Sequence, residues 1–373
     1  MIYLLCYAIS ILLAYTAKHT KNRSDFIVIS ILSISVTALL AGMRDLSIGT
    51  DTINYYTHPL YWDGAVNSAG LIDYLKHFAA TSRTSVPEVV FALLIGVVQK
   101  TTGNYNVFLF IVHLVIVGCV YIGAFRLKDH ADPVFTLAVF YLLYFGQTLN
   151  IYRQYMALAI LFAILRDLEE RHDKRYLIIT AIAFFIHNTA ILGIVPLLLY
   201  RILYPNNTHK FVPLIKKMAL FSIIVIASAS LIPVLRILID MGIIKRNFLW
   251  YLNIENRESH ALVLLFLMVE AIGILLFLSR YRKLEHSDFF IFCSISFAAL
   301  TYVGSFIKYG DRLAEYFSLI NIISIGMIVK CQQSRENRVI VRGAALFVVL
   351  FYWLYVYAIN NSSNTMPYLW GIS

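Results

Sequence analysis

The stretch VFLFIVHLVIVGCVYIGAF, Val107 to Phe125, decides the class of fold, because it contains no Asp, Glu, Lys or Arg. A helix rises about 1.5 Å per residue, so crossing a bilayer takes roughly 20 apolar residues. Similar runs recur along all 373 residues, of which 60% are hydrophobic and only 14% charged, with a mean hydropathy of +0.74. Soluble domains are roughly a quarter charged. We therefore predict an integral membrane protein, an all-α bundle that forms a single membrane domain over residues 1–373.

The apolar runs and the charges between them predict the topology. Val86–Val98 is short for a span, whereas Tyr176–Leu203 is long for one and holds His187 near its middle. If the first does not cross and the second is a hairpin of two short helices, most of the 31 basic residues fall on the inner side. This interpretation gives about twelve spans with both termini outside. The other predicted spans are Ile2–Ala17, Phe26–Met43, Val107–Phe125, Pro133–Leu149, Ile151–Leu168, Ala219–Ile239, Ala261–Leu278, Phe289–Ile307, Leu313–Val329 and Val339–Ile359.

Two longer segments are predicted on the outer side, at about residues 44–105 and 240–260. In the first, Leu71, Tyr74, Leu75 and Phe78 fall at helical spacing, which predicts an amphipathic helix on the membrane surface.

Charge and cysteine content exclude several classes of function. The formal net charge is +10, but the basic residues lie in loops between apolar runs, where they determine topology and do not indicate nucleic-acid binding. The four cysteines have no paired spacing, so we interpret them as packing residues and not as disulfides or metal ligands. No Walker loop, HExxH, CxxC or GxSxG motif occurs, and no cofactor is indicated.

Candidate site residues begin in GMRDLSIGTDTINYY, Gly42 to Tyr56. Arg44 ends a predicted span, and Gly49 permits a tight turn that could direct Arg44 and Asp51 into one cleft. Tyr55 and Tyr56 follow and could stack on a sugar. The alternative is an ordinary interfacial arginine followed by a polar turn.

Arg153 lies one turn inside the apolar run NIYRQYMALAILFAIL, where a charge is costly unless it is paired or close to the interface. Gln154 is its neighbour, and outward snorkelling is the alternative. His187, in AFFIHNTAILG, falls at the turn of the proposed hairpin; its alternative is a satisfied core histidine.

Other charged residues complete the candidate set. Arg312 follows YGD at the outer start of a span with Tyr316 one turn later, and the alternative for Arg312 is a pair with Asp311. Arg257 lies in the second outer segment and is a candidate substrate contact. For Glu270 and His113, both in mid-span, we predict hydrogen bonds between helices.

Arginines gathered on one membrane face indicate an anionic ligand, since arginine binds phosphate bidentately and stays charged. Acidic pairs of the kind that Mg²⁺ needs are scarce on that face, so we predict a metal-free diphosphate site at the outer leaflet.

The order of these motifs, GTDTINYY, YRQYMALAI, FFIHNTAIL and DRLAEYF after an arginine that ends the second span, resembles the EpsG/Wzy family of polysaccharide polymerases. The resemblance covers most of the chain and implies a GT-C type glycosyltransferase of the bacterial inner membrane. Such enzymes join oligosaccharide repeat units on undecaprenyl diphosphate at the periplasmic face, in O-antigen, lipopolysaccharide or exopolysaccharide synthesis. A chain-length regulator protein is a candidate partner. The matching positions are Arg44, Gly49, Asp51, Tyr55, Arg153, Gln154, His187, Arg312 and Tyr316.

The resemblance implies that Arg44, Arg153 and Arg312 stabilise the departing diphosphate, while Asp51 or His187 takes the proton of the acceptor hydroxyl. Two alternatives stay open. One is a flippase that transports lipid-linked oligosaccharides, although no internal repeat is visible. The other is an O-antigen ligase, which uses similar chemistry on a different acceptor.

Overall fold

The computed structural model describes residues 1–82, 87–205, 213–242, 261–306 and 310–371, except for the side chain of Asp311. Helices make up the architecture of these residues, and the described backbone forms no strand beyond one isolated bridge. The chain divides into two compact units, Met1–Ile191 with Arg342–Ser373, and Leu192–Val341. The all-α prediction is therefore confirmed, while the single membrane domain stays a prediction.

The first unit is built around a central helix, α7. Its helices are α1 (Ile2–His19), α2 (Arg23–Gly42), α3 (Thr52–Thr57), α4 (Trp62–Asn67), α5 (Leu71–Thr81), α6 (Val89–Thr102), α7 (Tyr105–Arg126), α8 (Pro133–Leu143), α9 (Phe145–Thr148), α10 (Tyr152–Ala163) and α11 (Asp173–Phe184).

Close approach of backbones holds α7 against α2 and α10. A Cβ atom on Gly42 of α2 would lie 2.6 Å from Cβ of Phe110, and one on Gly123 of α7 would lie 2.4 Å from Cδ1 of Phe162. Small residues at such contacts are typical of membrane helix packing, which relies on van der Waals contact.

The second unit contains α12 (Ile194–Leu203), α13 (Leu214–Asp240), α14 (Ala261–Leu276), α15 (Leu278–Tyr281), α16 (Ser287–Gly304), α17 (Asp311–Ala314) and α18 (Ser318–Lys330). Helix α19 (Arg335–Trp353) begins in this unit and ends in the first, where a π-helical turn (Leu354–Ile359) and a 3₁₀ turn (Ser362–Asn364) follow it.

The mid-span polar residues form hydrogen bonds between helices, as predicted. In the second unit the carboxylate of Glu270 accepts from Asn321 Nδ2 at 2.6 Å and from Ser294 Oγ at 3.0 Å. In the first unit Nε2 of His113 lies 3.2 Å from the carbonyl oxygen of Thr148. Buried polar groups pay a desolvation penalty unless they find such partners.

Among the described residues, seven helices are long and apolar enough to cross a membrane. They are Ile2–His19, Arg23–Gly42, Tyr105–Arg126, Leu214–Asp240, Ser287–Gly304, Arg312–Lys330 and Arg335–Ile359. The chain is therefore a membrane protein, and the count of about twelve spans stays a prediction.

Several predicted spans are interrupted. Pro133–Leu149 breaks at Tyr144, between α8 and α9. Tyr176–Leu203 breaks around His187, as expected, because α11 ends at Phe184 and a 3₁₀ turn begins at Asn188.

The predicted amphipathic helix is α5. Its Leu71 and Tyr74 pack against Gly96 of α6, so its apolar face contacts another helix of the protein.

Orientation is tested by thiol labelling in a chain whose four cysteines are replaced by alanine. Asn67 is exposed at the end of α4, and Lys174 is exposed in the first turn of α11. We expect an impermeant maleimide added to cells with a permeabilised outer membrane to label a cysteine at position 67 and not one at position 174. The opposite pattern would reverse the predicted orientation.

Candidate functional site

Arg44 is fully buried immediately after α2. Its Nη1 donates to the carbonyl of Ala41 at 2.8 Å and its Nη2 to the carbonyl of Leu149 at 2.9 Å. Its Nε has no hydrogen-bond partner among the described residues. The guanidinium thus joins the end of α2 to the link between α9 and α10.

The turn after Arg44 is fixed by Gly49, whose φ of +84° lies in the left-handed region that favours glycine. A Cβ atom there would lie 2.3 Å from the carbonyl oxygen of Leu149. Asn150 Oδ1 accepts from Thr50 Oγ1 and from the backbone N–H of Asp51, both at 2.8 Å. Arg44 and the Asp51 turn therefore meet at Leu149–Asn150, while their role in a reaction stays a prediction.

Arg153 lies in a charged cluster with Glu88 and His187. Its Nη1 donates to Tyr61 Oη at 2.9 Å and forms a short ion pair with Glu88 Oε2. Nδ1 of His187 lies 3.0 Å from Glu88 Oε1, which also accepts from the backbone N–H of Asn188 at 2.9 Å. The side chain of Glu88 is 4% exposed, against 17% for Arg153 and 16% for His187.

Aromatic rings enclose the guanidinium of Arg153. Its Cζ lies 5.3 Å from the ring centroid of Tyr55, 5.5 Å from that of Tyr61 and 5.8 Å from that of Phe91. A cation within about 6 Å of a ring face is attracted by the ring quadrupole. The Nε of Arg153 is buried without a partner among the described residues, so one N–H donor of the guanidinium group makes no hydrogen bond to them.

Glu88 holds the cluster together. Burial by itself raises the pKa of Glu88, but the hydrogen bond from His187 and the charge of Arg153 outweigh it and keep that pKa below its ordinary value. A backbone hydrogen bond from Val90 to the carbonyl of Phe185, at 3.1 Å, fixes the start of α6 against the end of α11. A carboxylate, an arginine and a histidine from three elements are thus brought within hydrogen-bonding distance.

Sequence reasoning missed Glu88, although one signal was present. It is the only acidic residue between Asp73 and Asp129, and it directly precedes the apolar run of α6. An isolated carboxylate at the edge of an apolar run needs a cationic partner when it is buried.

The other predicted residues lie in several places. Gln154 is buried beside Arg153 on α10, and Tyr56 is 36% exposed. Arg312 is half-buried on α17 and Tyr316 is buried, both in the second unit. Arg257 and most of the predicted outer segment 240–260 lie outside the described residues.

Asp167, Glu170 and His172 bring their ligand atoms close together, as a metal site does. Asp167, however, already accepts from Arg126 Nη2 at 2.6 Å and from Arg175 Nε at 2.5 Å. Arginines satisfy this carboxylate, so the cluster is an ion-pair network.

A cavity of about 410 Å³ opens beside Arg44 in the first unit. Its lining includes aromatic and amide side chains, and it is distinct from the cluster around Arg153. The lining residues are Arg44, Asp45, Leu46, Tyr56, Trp62, Gly103, Asn104, Tyr105, Asn106, Trp370 and Gly371.

Comparison with models of protein families shows which family the chain matches. The model of the EpsG family matches residues 26–370, nearly the whole chain. No curated protein and no solved structure matches significantly.

Proposed function

Because the chain belongs to the EpsG family, we propose that it is a Wzy-type, GT-C glycosyltransferase that polymerises undecaprenyl-diphosphate-linked repeat units. The reaction takes place at the periplasmic face of the bacterial inner membrane. Family membership supports a role in polysaccharide biosynthesis, and the long apolar helices agree with a membrane-embedded carrier. The observation that carries the proposal is the Arg153–Glu88–His187 cluster, enclosed by aromatic rings.

The proposed step is a displacement at the anomeric carbon of the donor's first sugar. The acceptor hydroxyl oxygen forms the new glycosidic bond, while the bond from that carbon to the diphosphate oxygen breaks. Undecaprenyl diphosphate leaves with the electron pair, and the hydroxyl proton passes to a base on the protein. A direct displacement of this kind inverts the anomeric configuration.

His187 is well arranged to be that base. Glu88 is ionised in the pair with Arg153, so it accepts a hydrogen bond from Nδ1–H of His187. The lone pair of the neutral ring is then on Nε2, and the carboxylate stabilises the imidazolium that forms on proton transfer. The sequence left Asp51 and His187 as equal choices; this hydrogen bond favours His187.

Arg153 would stabilise the leaving diphosphate. With neutral His187 its charge is balanced by Glu88, so the cluster has no net charge. When His187 takes the proton, the cluster becomes positive as negative charge develops on the diphosphate, which favours the transition state over the ground state. The Nε of Arg153 is buried without a partner in the described part of the chain, so a hydrogen bond to a phosphate oxygen of the leaving group would satisfy this donor.

The polymerase proposal is tested with purified protein and the lipid-linked repeat unit of the source organism. We expect a ladder of products that is the same with and without EDTA, because arginine and histidine supply the charge stabilisation and proton transfer. A His187→Gln variant at equal protein concentration should give no ladder.

Other results would redirect the assignment. Loss of the ladder on chelation, restored by Mg²⁺ or Mn²⁺, would contradict a metal-independent reaction. Movement of the lipid-linked unit across vesicle membranes without any product would identify a flippase. Transfer of glycan only to an added second acceptor would identify a ligase.

A further inference from the structure

We propose that the 410 Å³ cavity beside Arg44 is a subsite for a neutral sugar residue of the glycan, separate from the diphosphate site at Arg153. This inference rests on the proposed function, because it names what part of that substrate the cavity takes. The volume falls within the range of about 300–1,000 Å³ that is usual for ligand pockets.

The aromatic lining suits a sugar ring. Tyr56 and Trp370 are 36% and 52% exposed, so both keep ring surface available to a ligand. Behind them, Tyr105 and Trp62 are buried with their ring centroids 5.1 Å apart, and Tyr56 lies 5.1 Å from Tyr105. A rigid aromatic surface with a polar edge packs against the C–H face of a pyranose at little cost in side-chain entropy.

Two amide side chains offer fixed hydrogen bonds to hydroxyl groups. Asn106 Nδ2 donates to the carbonyls of Gly42 at 2.7 Å and Arg44 at 3.2 Å, which leaves its Oδ1 as an acceptor. Asn104 Oδ1 accepts from the backbone N–H groups of Asn106 and Val107, which leaves its Nδ2 as a donor. A hydroxyl group both donates and accepts, so this pair of amides matches it.

The charges at the cavity favour a neutral ligand over a phosphate. The guanidinium of Arg44 is directed to the carbonyls of Ala41 and Leu149 and is fully buried. The hydroxyl and then the backbone N–H of Ser47 hold the pKa of Asp45 below its usual range, so its carboxylate balances the charge of Arg44 and the lining as a whole is neutral. Asn104 caps the N-terminus of α7 and occupies the N–H groups that would otherwise attract an anion.

Helix α3 connects the cavity to the cluster at Arg153. Tyr55 faces the guanidinium of Arg153, and the next residue, Tyr56, lines the cavity. Tyr152 Oη and Tyr105 Oη share a hydrogen bond of 2.9 Å between the two places. A glycan whose diphosphate lies at Arg153 could thus extend past α3 and place a sugar residue in the cavity.

The experiment uses the oligosaccharide released by mild acid from the lipid-linked repeat unit, because this probe has neither lipid nor phosphate. Binding to the purified full chain is measured by equilibrium dialysis with radiolabelled oligosaccharide. We expect Trp370→Ala and Tyr56→Ala each to weaken binding by roughly three- to tenfold. Leu369→Ala is the matched control: Leu369 is 49% exposed in the same segment and does not line the cavity.

The outcomes separate this proposal from the polymerase proposal. Equal binding by wild type, Trp370→Ala and Tyr56→Ala would overturn the subsite, as would equal weakening by Leu369→Ala. Displacement of the oligosaccharide by inorganic pyrophosphate would show that the cavity binds an anion, which would contradict a subsite for a neutral sugar. A ladder from the lipid-linked unit without any binding of the free oligosaccharide would overturn the subsite and leave the polymerase intact. Binding that is weakened by Trp370→Ala and Tyr56→Ala, without a ladder from the lipid-linked unit, would support the subsite and contradict the polymerase proposal.

Discussion

Glu88→Ala is expected to lower the free energy of unfolding by about 3–5 kcal/mol, because removal of one partner leaves a buried charge uncompensated. The variant removes three interactions of the Glu88 carboxylate: the ion pair with Arg153 and the hydrogen bonds with His187 and with the backbone N–H of Asn188. We expect a lower level of the protein in membranes and a lower unfolding temperature in detergent.

A double variant separates charge from packing. Replacing both members of a buried ion pair by apolar residues of similar volume is often neutral or stabilising. Adding Arg153→Met to Glu88→Ala removes the uncompensated charge, so the double variant should recover part of the lost stability while remaining inactive; the lost contacts to His187 and Asn188 are not restored. Glu285→Ala is the control, since Glu285 is exposed and no ion pair involves it among the described residues. A double variant that is as unstable as Glu88→Ala alone would contradict this account.

Arg153→Ala is expected to reduce the polymerisation rate per folded molecule by roughly 100- to 1000-fold, equivalent to about 2.7–4 kcal/mol in the transition state. Cells with this variant should make single-repeat glycans. Arg153→Lys should recover only part of the glycan length, because lysine keeps the charge but lacks the planar guanidinium, whose Nη1 alone makes the contacts to Tyr61 and Glu88 and leaves other N–H groups for a phosphate. Glycan length and the membrane level of the protein are measured in the same strains.

Arg335→Ala provides the comparison for Arg153, because Arg335 is exposed in the first turn of α19. It should leave both glycan length and protein level unchanged. Full activity per molecule in Arg153→Ala would show that Arg153 takes no part in the reaction. Full activity in Arg153→Lys would show that charge alone is sufficient.

Much of the fold follows from hydrophobic pattern alone. Runs such as Val107–Phe125 predict membrane helices because their length and composition match the bilayer. The break around His187 was predictable since a polar His-Asn-Thr stretch interrupts an apolar run that is too long for one span. The break at Tyr144 was not, because an apolar residue there gives no sign that α8 ends.

The candidate site was predictable only in part. Placement of Arg153 inside an apolar run indicated that it needs a partner, but the partner, Glu88, lies 65 residues earlier. The other partner of Glu88, His187, lies 99 residues after Glu88 in the chain. Pairings over such distances depend on how helices pack, and local patterns in one sequence do not contain that information. For the same reason, the sequence did not show that tertiary contacts bury Arg44 completely; its position at the outer membrane edge stays a prediction.

The segment around Trp370 pairs with the residues that follow α2, more than 300 positions earlier in the chain. Backbone hydrogen bonds join Asp45 N–H to the carbonyl of Leu369 at 2.9 Å and Gly371 N–H to the carbonyl of Met43 at 2.8 Å. Tyr368 Oη also donates to the carbonyl of Leu40, 328 residues earlier. The ribosome therefore makes every helix of both units before this contact can form. A nascent chain inserted as far as α18 still lacks one wall of the cavity, so the proposed sugar subsite is complete only after synthesis has passed residue 370.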